Sequence, residues 1–246
     1  MFKVLKNEII KMFSGKKFYV LSITLIISIV IMAVLGKSNP QDGINANNFV
    51  IKTLSGTLMK PIVPMFMVLV IAEALTEDYI HGTMKFSLMT PIKRSDFIIG
   101  KFLFIGLYAL IFLVVGFVGS YIVGIITFGL GDKGEFLNIL INNIKIYASI
   151  ILPLLSFIAV MSFIALLVNN SGEMIGLGIG IDVIMMMIDF QVKNIMYYTF
   201  SGMYAYRIVQ NLNAHNILIL SFTACIYITV FLVLSIVVVK KKDIVL

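Results

Sequence analysis

Between Phe102 and Phe128 the chain runs for 27 residues without a charged side chain, and it does nearly as much again over Ile146–Val168 and Ile217–Val239. A helix needs about 20 mostly apolar residues, at about 1.5 Å of rise each, to cross about 30 Å of hydrocarbon. These three segments satisfy that requirement, and Phe18–Gly36 does so over a further 19 residues. Composition agrees: 60% of the residues are apolar and 13% charged, where a soluble domain has about 45–50% and about 25%. There are too few charges to clothe a water-facing surface, so the solvent of this chain is a bilayer.

The expected architecture is an all-α membrane protein, a single transmembrane domain over residues 1–246 with six spans at about 18–36, 54–75, 97–128, 146–168, 174–188 and 217–239. The first span follows a Lys-rich lead, as in a signal peptide. That lead is long, and Leu35-Gly36-Lys37 offers no clean cleavage site, so the span is read as retained. The second is the weakest. Only Pro61–Ala72 is free of charge, Thr53–Met59 must complete it, and Pro61 and Pro64 are expected to kink it where neighbouring helices satisfy the freed carbonyls. The fifth carries Asp182, whose insertion costs about 3 kcal/mol at mid-membrane, offset by the Ile, Leu, Met and Val around it.

Six spans place both termini on one side. Twelve of the 19 basic residues then share it: Lys3, Lys6, Lys11, Lys16, Lys17, Lys85, Lys93, Arg94, Lys101, Lys240, Lys241 and Lys242. Positive residues stay inside, so cytoplasmic termini are expected; seventeen Lys against two Arg fit an AT-rich bacterial genome, so the expected location is a bacterial cell membrane. The net charge of +7 is accounted for in the same way, because the basic residues are spread between apolar runs rather than along one face. No nucleic acid is expected. With one Cys and two His, a disulfide within the chain or a structural zinc set is excluded, and His81 and His215 fall on opposite sides of the membrane.

The most informative stretch joins spans two and three. Thr76 can cap a helix opening with Glu77 and Asp78, acids suited to the positive end of a helix dipole. Tyr79, Met84, Phe86 and Leu88 give it an apolar side, and Thr90-Pro91 ends it before Ser95-Asp96 caps the third span. An amphipathic helix held between two membrane helices results. At the other face, Phe190–Asn213, with Tyr197, Tyr198, Phe200, Tyr204 and Tyr206, is read as one or two short helices at the outer interface, an ordinary structured loop being the alternative.

The chain here resembles the type-2 ABC exporter permeases. Their pattern is an acid closing the second span, a Gly-Thr, a Pro followed by a basic residue, and a Lys entering the third span. In this sequence it is met by Glu73 or Glu77, Gly82-Thr83, Pro91, Arg94 and Lys101. The basic amphipathic segment Phe2–Phe13 and the Lys-rich C-terminus fit too, so the resemblance covers nearly the whole chain. It implies that the loop is a coupling helix seated in an ATPase subunit, with Glu73, Glu77, Asp78, His81, Gly82, Thr83, Lys85, Pro91 and Arg94 as coupling residues. It also implies an N-terminal interfacial helix, a second permease, identical or related, and two ABC ATPase subunits carrying ATP and Mg. Permeases this short resemble those of lantibiotic immunity, bacitracin resistance and phenol-soluble modulin export, which points to amphipathic peptide cargo. Drugs, ions or lipid-linked substrates are the alternative.

No cofactor is expected on this chain, and catalysis is not expected of it. Gly36-Lys37-Ser38 lacks the first glycine of a P-loop, where Ile31 stands, and Gly176–Gly180 fails the dinucleotide fingerprint at Ile181. Gly172, Gly176 and Gly180 recur every four residues and make a small-residue stripe for close helix packing, within the chain or across a dimer; Gly116, Ser120 and Gly124 make another. Asp182 with Met185 and Met186 is a candidate substrate path. The competing use of Asp182 is a hydrogen bond to a neighbouring helix, and that of the methionines is core filling. An intramembrane enzyme would need partners at depth that Asp182 lacks in sequence, and a pure scaffold would leave the charged helix without a purpose.

Overall fold

A computed structural model describes residues 2–38, 44–56, 62–77, 94–131, 134, 136–191, 198–200 and 214–241. Among these there is no strand, and eight α-helices carry the fold: α1 Phe2–Ser14, α2 Lys16–Ser38, α3 Ala46–Thr53, α4 Val63–Ile71, α5 Arg94–Phe128, α6 Phe136–Leu167, α7 Ser171–Gln191 and α8 Ala214–Lys241. A π-helical turn, Ala72–Glu77, continues α4. Five helices are long and apolar enough to cross a membrane: α2, α5, α6, α7 and α8.

The second expected span, 54–75 with kinks at Pro61 and Pro64, is described only in part, as α3 and α4 on either side of residues 57–61, which lie outside the described residues. The chain enters helix earlier, at α3, because Asn45 adopts an extended backbone and its side-chain oxygen accepts from the Asn48 amide at 3.0 Å. α3 ends in a π-type turn at 54–56, and helix is again present from residue 62. Pro64 sits in the first turn of α4, where a missing amide hydrogen costs nothing. The other expected spans are there with longer limits. α6 starts ten residues before the expected 146, since Asn142, Asn143 and Lys145 stay helical, and α5 starts at Arg94, so Ser95 and Asp96 lie in its first turn rather than ahead of it.

α5 is the spine, 35 residues or about 52 Å long. α2 packs on it through Leu25, Ile29 and Ala33, one residue per turn, while Val20, Ile23, Ile27, Val30, Ile31 and Val34 stay exposed. α8 behaves alike: it pairs chiefly with α6, with Phe231 against Phe163 at 5.5 Å, and exposes Leu218, Phe222, Val230 and Val233. Apolar faces of that extent are not water-facing. α4 is the opposite case. Val63, Pro64, Met67, Val68, Val70 and Ile71 are all buried, as befits a helix apolar on every side that lies among α5, α6 and α7. Aromatic rings bind this centre: Phe112 stacks on Tyr108 at 5.1 Å and meets Phe18 of α2 and Phe66 of α4 edge-on.

The expected stripe on α5 is used within the chain. Gly124 lets α3 approach so closely that a Cβ there would lie 3.1 Å from Ala46 Cα. One turn back, Ser120 Oγ shares a hydrogen bond with Thr53 Oγ1 at 2.9 Å. Asn143 of α6 donates to the Asn47 carbonyl at 3.1 Å and to the Tyr121 hydroxyl at 2.8 Å, and Tyr121 donates to Asn47 Oδ1 at 3.2 Å. Gly129, at φ +76°, turns the chain out of α5, and its carbonyl accepts the Ala46 amide at 3.0 Å.

On α7 the expected stripe is not the one used. Met174, Gly178, Asp182, Met185 and Asp189 fall within an arc of about 80° at about 100° per residue, and this side faces α4 and the π-turn. A Cβ on Gly178 would lie 2.5 Å from Val68 Cγ1, so Gly178 is the residue that permits close approach. Gly172, Gly176 and Gly180 lie on the opposite side. Among the described residues no atom comes within 4 Å of a Cβ built on Gly176 or Gly180, and that on Gly172 meets Asn170 Oδ1 at an ordinary 3.5 Å. Within this chain the reading of that stripe as a packing seam is therefore corrected by two residues.

Candidate functional site

The site is assembled at the Arg94 end of α5, from α1 upward. Val4, Glu8 and Met12 recur every four residues and are buried, while Phe2, Ile10 and Phe13 are exposed apolar residues on a different side. Glu8 is thus a lone acid on a packed face, and a buried charge needs a partner. Lys101 of α5 supplies it: its Nζ donates to Glu8 Oε1 at 2.8 Å, with Lys101 1% and Glu8 7% exposed. The Lys101 ammonium also lies 5.5 Å from the centre of the Phe97 ring, and Lys11 reaches the same carboxylate oxygen at 3.4 Å. Removing one member of such a pair typically costs about 3–5 kcal/mol, because the other is left buried and charged.

Beside this pair, Lys17 at the start of α2 lies 3.3 Å from Glu73 Oε2 and 4.0 Å from Glu77 Oε2. Both acids stand on the π-turn. The three side chains are between a third and two thirds exposed, so each contact contributes about 0–1 kcal/mol and exchanges readily. α1, α2, the π-turn and α5 enclose a cavity of about 290 Å³ with Lys11, Lys17, Glu73 and Glu77 on its walls and Met12, Phe18, Val70 and Phe104 beneath them. Arg94, in the first turn of α5, ties in α8. Its guanidinium donates to the Val239 and Lys240 carbonyls at 3.1 Å each, seating the last turn of α8 on the first turn of α5.

Of the expected coupling residues, Glu73, Glu77 and Arg94 are therefore brought to one end of the molecule. Asp78, His81, Gly82, Thr83, Lys85 and Pro91 lie outside the described residues, as do Tyr197, Tyr204 and Tyr206 of the outer segment. Thr76 does not head a new helix. It is inside the π-turn, and its hydroxyl donates to the Ala165 carbonyl of α6 at 3.3 Å. Asp182, 2% exposed, sits on the packed side of α7 with Met185 half-buried near it, whereas Met186 is exposed. Asp189, buried on the same side, accepts from Thr199 at 2.6 Å. Glu8 and Lys17 were not anticipated. The signal for Glu8 was present, the single acid of α1 in step with Val4 and Met12; Lys17 gave none, since its partners are 56 and 60 residues away.

Among the described residues, fold and site define a helical protein with five helices long and apolar enough to cross a membrane and a charged cavity at one end of the longest of them. The chain belongs to the family described as "Protein of unknown function (DUF2705)", which matches residues 9–245. It is also similar to "Uncharacterized protein YhcI" of Bacillus subtilis (strain 168), at 28% identity over 69 residues, or 28% of this chain. The match spans 22% of that relative's length.

Proposed function

We propose that this chain is the membrane subunit of an ATP-driven exporter whose ATPase is a separate protein. What carries the reading is the convergence of Glu73, Glu77 and Arg94, with α1 and the end of α8, at one end of α5, on either side of the 78–93 segment. A motor docked on that segment would push on the π-turn through its two acids and on α5 through Arg94. The π-turn, a geometry frequent at functional sites, is the joint between that segment and the buried α4.

The segment 46–77, which contains α3 and α4, then serves as the sixth crossing. In its favour, α1 is tied to α5 through Glu8–Lys101 and the last turn of α8 through Arg94, so α1 and the last turn of α8 lie by the same end of α5. An even number of crossings accounts for that. The Lys residues of α1, Arg94, Lys240 and Lys241 belong to this end, and by the positive-inside rule that supports a cytoplasmic position for it in the proposed bacterial membrane. α1, with one packed, one apolar and one basic side, is an interfacial helix in this account.

The working unit holds two permeases, two copies of this chain or this one and a relative, and two ABC ATPases with ATP and Mg. The proposed cargo is an amphipathic, antimicrobial or cytolytic peptide, moving along the apolar, Met-rich surface of α7 near Asp182, Met185 and Met186; drugs, ions and lipid-linked substrates are the rival cargo. Purification from the native membrane tests the reading. An ATP-binding subunit should accompany the chain, and Glu77→Lys should abolish cargo-stimulated hydrolysis while leaving the protein folded. Absence of any such subunit, together with full export by the variant, rejects it.

A further inference from the structure

Around the cavity at the α1–α2 junction three carboxylates, Glu8, Glu73 and Glu77, meet three ammoniums, Lys11, Lys17 and Lys101, and the two signs are unevenly placed. Lys17 is one ammonium between two carboxylates, 3.3 Å from Glu73 and 4.0 Å from Glu77, so the trio keeps one negative charge in excess. Lys11, also half-exposed, supplies a cation on the α1 wall of the same cavity, beside Glu8. The volume, about 290 Å³, suits a small polar group resting on the apolar floor. The residues flanking the junction, Ile10, Phe13, Tyr19 and Val20, are exposed apolar side chains of the kind that lie in a membrane interface. The cavity is thus lined by both charged and apolar side chains and flanked by exposed apolar residues.

We propose that this cavity binds the headgroup of an aminophospholipid. The primary ammonium sits between Glu73 and Glu77, the phosphate lies against Lys11, and the acyl chains run along the exposed face of α2. A primary ammonium donates up to three hydrogen bonds to those carboxylates, and a trimethylated one donates none. An anionic headgroup without an amine would leave the excess carboxylate facing its own phosphate. Lys17 then acts as the resident counter-ion that the lipid amine displaces. The proposal rests on the membrane reading of the helices and is independent of ATP-driven transport.

Nanodiscs holding equal parts of phosphatidylethanolamine, phosphatidylglycerol and phosphatidylcholine provide the test, with the lipids retained on the released protein counted by native mass spectrometry. The protein should retain phosphatidylethanolamine in preference to the other two. The pair Glu73→Gln and Glu77→Gln should reduce that preference about tenfold without changing phosphatidylglycerol, and Lys11→Gln should reduce both lipids. Lys17→Gln is the sharpest variant. By freeing the carboxylates it should raise phosphatidylethanolamine retention, where an unspecific basic surface would lose lipid. Equal retention of all three lipids, loss of phosphatidylethanolamine in Lys17→Gln, or equal competition by soluble glycerophosphoethanolamine would overturn the proposal. Circular dichroism melts of each variant separate a lost site from a lost fold.

Discussion

At its Arg94 end α5 is held by ionic contacts, Lys101 with Glu8 and Arg94 with the α8 carbonyls, next to the exposed Lys17–Glu73–Glu77 trio. At its Phe128 end it is held by neutral ones, Ser120 with Thr53 and Tyr121 with Asn47 and Asn143, closed over by Gly124 against Ala46. Neutral hydrogen bonds sealed in an apolar surround are costly to break singly and so keep one arrangement. Half-exposed ion pairs rearrange at little cost. The fold thus places a rigid joint at one end of its spine and an exchangeable one at the other, with the buried Lys101–Glu8 pair as a fixed anchor inside the exchangeable end.

Four substitutions, two of them with a companion variant, test that contrast and the packing around it in decreasing order of effect. Lys101→Met leaves Glu8 buried with its best partner gone, and the detergent melt should show a loss of about 3–5 kcal/mol. Adding Glu8→Gln should recover part of it. Gly178→Val drives a branched side chain into Val68 and should cost about 3 kcal/mol, whereas Gly176→Val should leave the stability of a single chain unchanged. Asn143→Leu removes the amide that donates to the Asn47 carbonyl and to the Tyr121 hydroxyl, for about 2 kcal/mol in urea or thermal unfolding. Lys17→Gln should change stability by less than about 1 kcal/mol, and a loss as large as that of Lys101→Met would show the exchangeable end to be as rigid as its anchor.

The long helices were legible because an uncharged run of more than 20 residues admits few other structures. α3 was not, although Asn45-Ala46-Asn47-Asn48 carried a cap signal: the helix it opens is short, polar at its start, and defined by what it packs on, Gly124 and Ser120. The two small-residue rows of α7 differ only in phase, 176 and 180 against 178. Periodicity cannot choose between them without knowing that Val68 waits opposite. The Glu73 and Glu77 acids were found through the motif around them, but their partner Lys17 belongs to a helix distant in sequence. Asp182, read as a substrate-path or hydrogen-bonding acid, is buried on the packed side of α7.

Cysteine labelling in intact cells reaches the central claim most directly, that the charged end of α5 faces the cytoplasm, where a separate ATPase can dock. With Cys225, which is exposed, replaced by Ser, a cysteine is placed either at Ser14, beside the charged cavity, or at Leu130, past the neutral joint. A membrane-impermeant maleimide should label Leu130→Cys in whole cells and label Ser14→Cys only after the cells are broken. Labelling of Ser14→Cys from outside, with Leu130→Cys protected, would invert the molecule and remove the basis for a cytoplasmic motor.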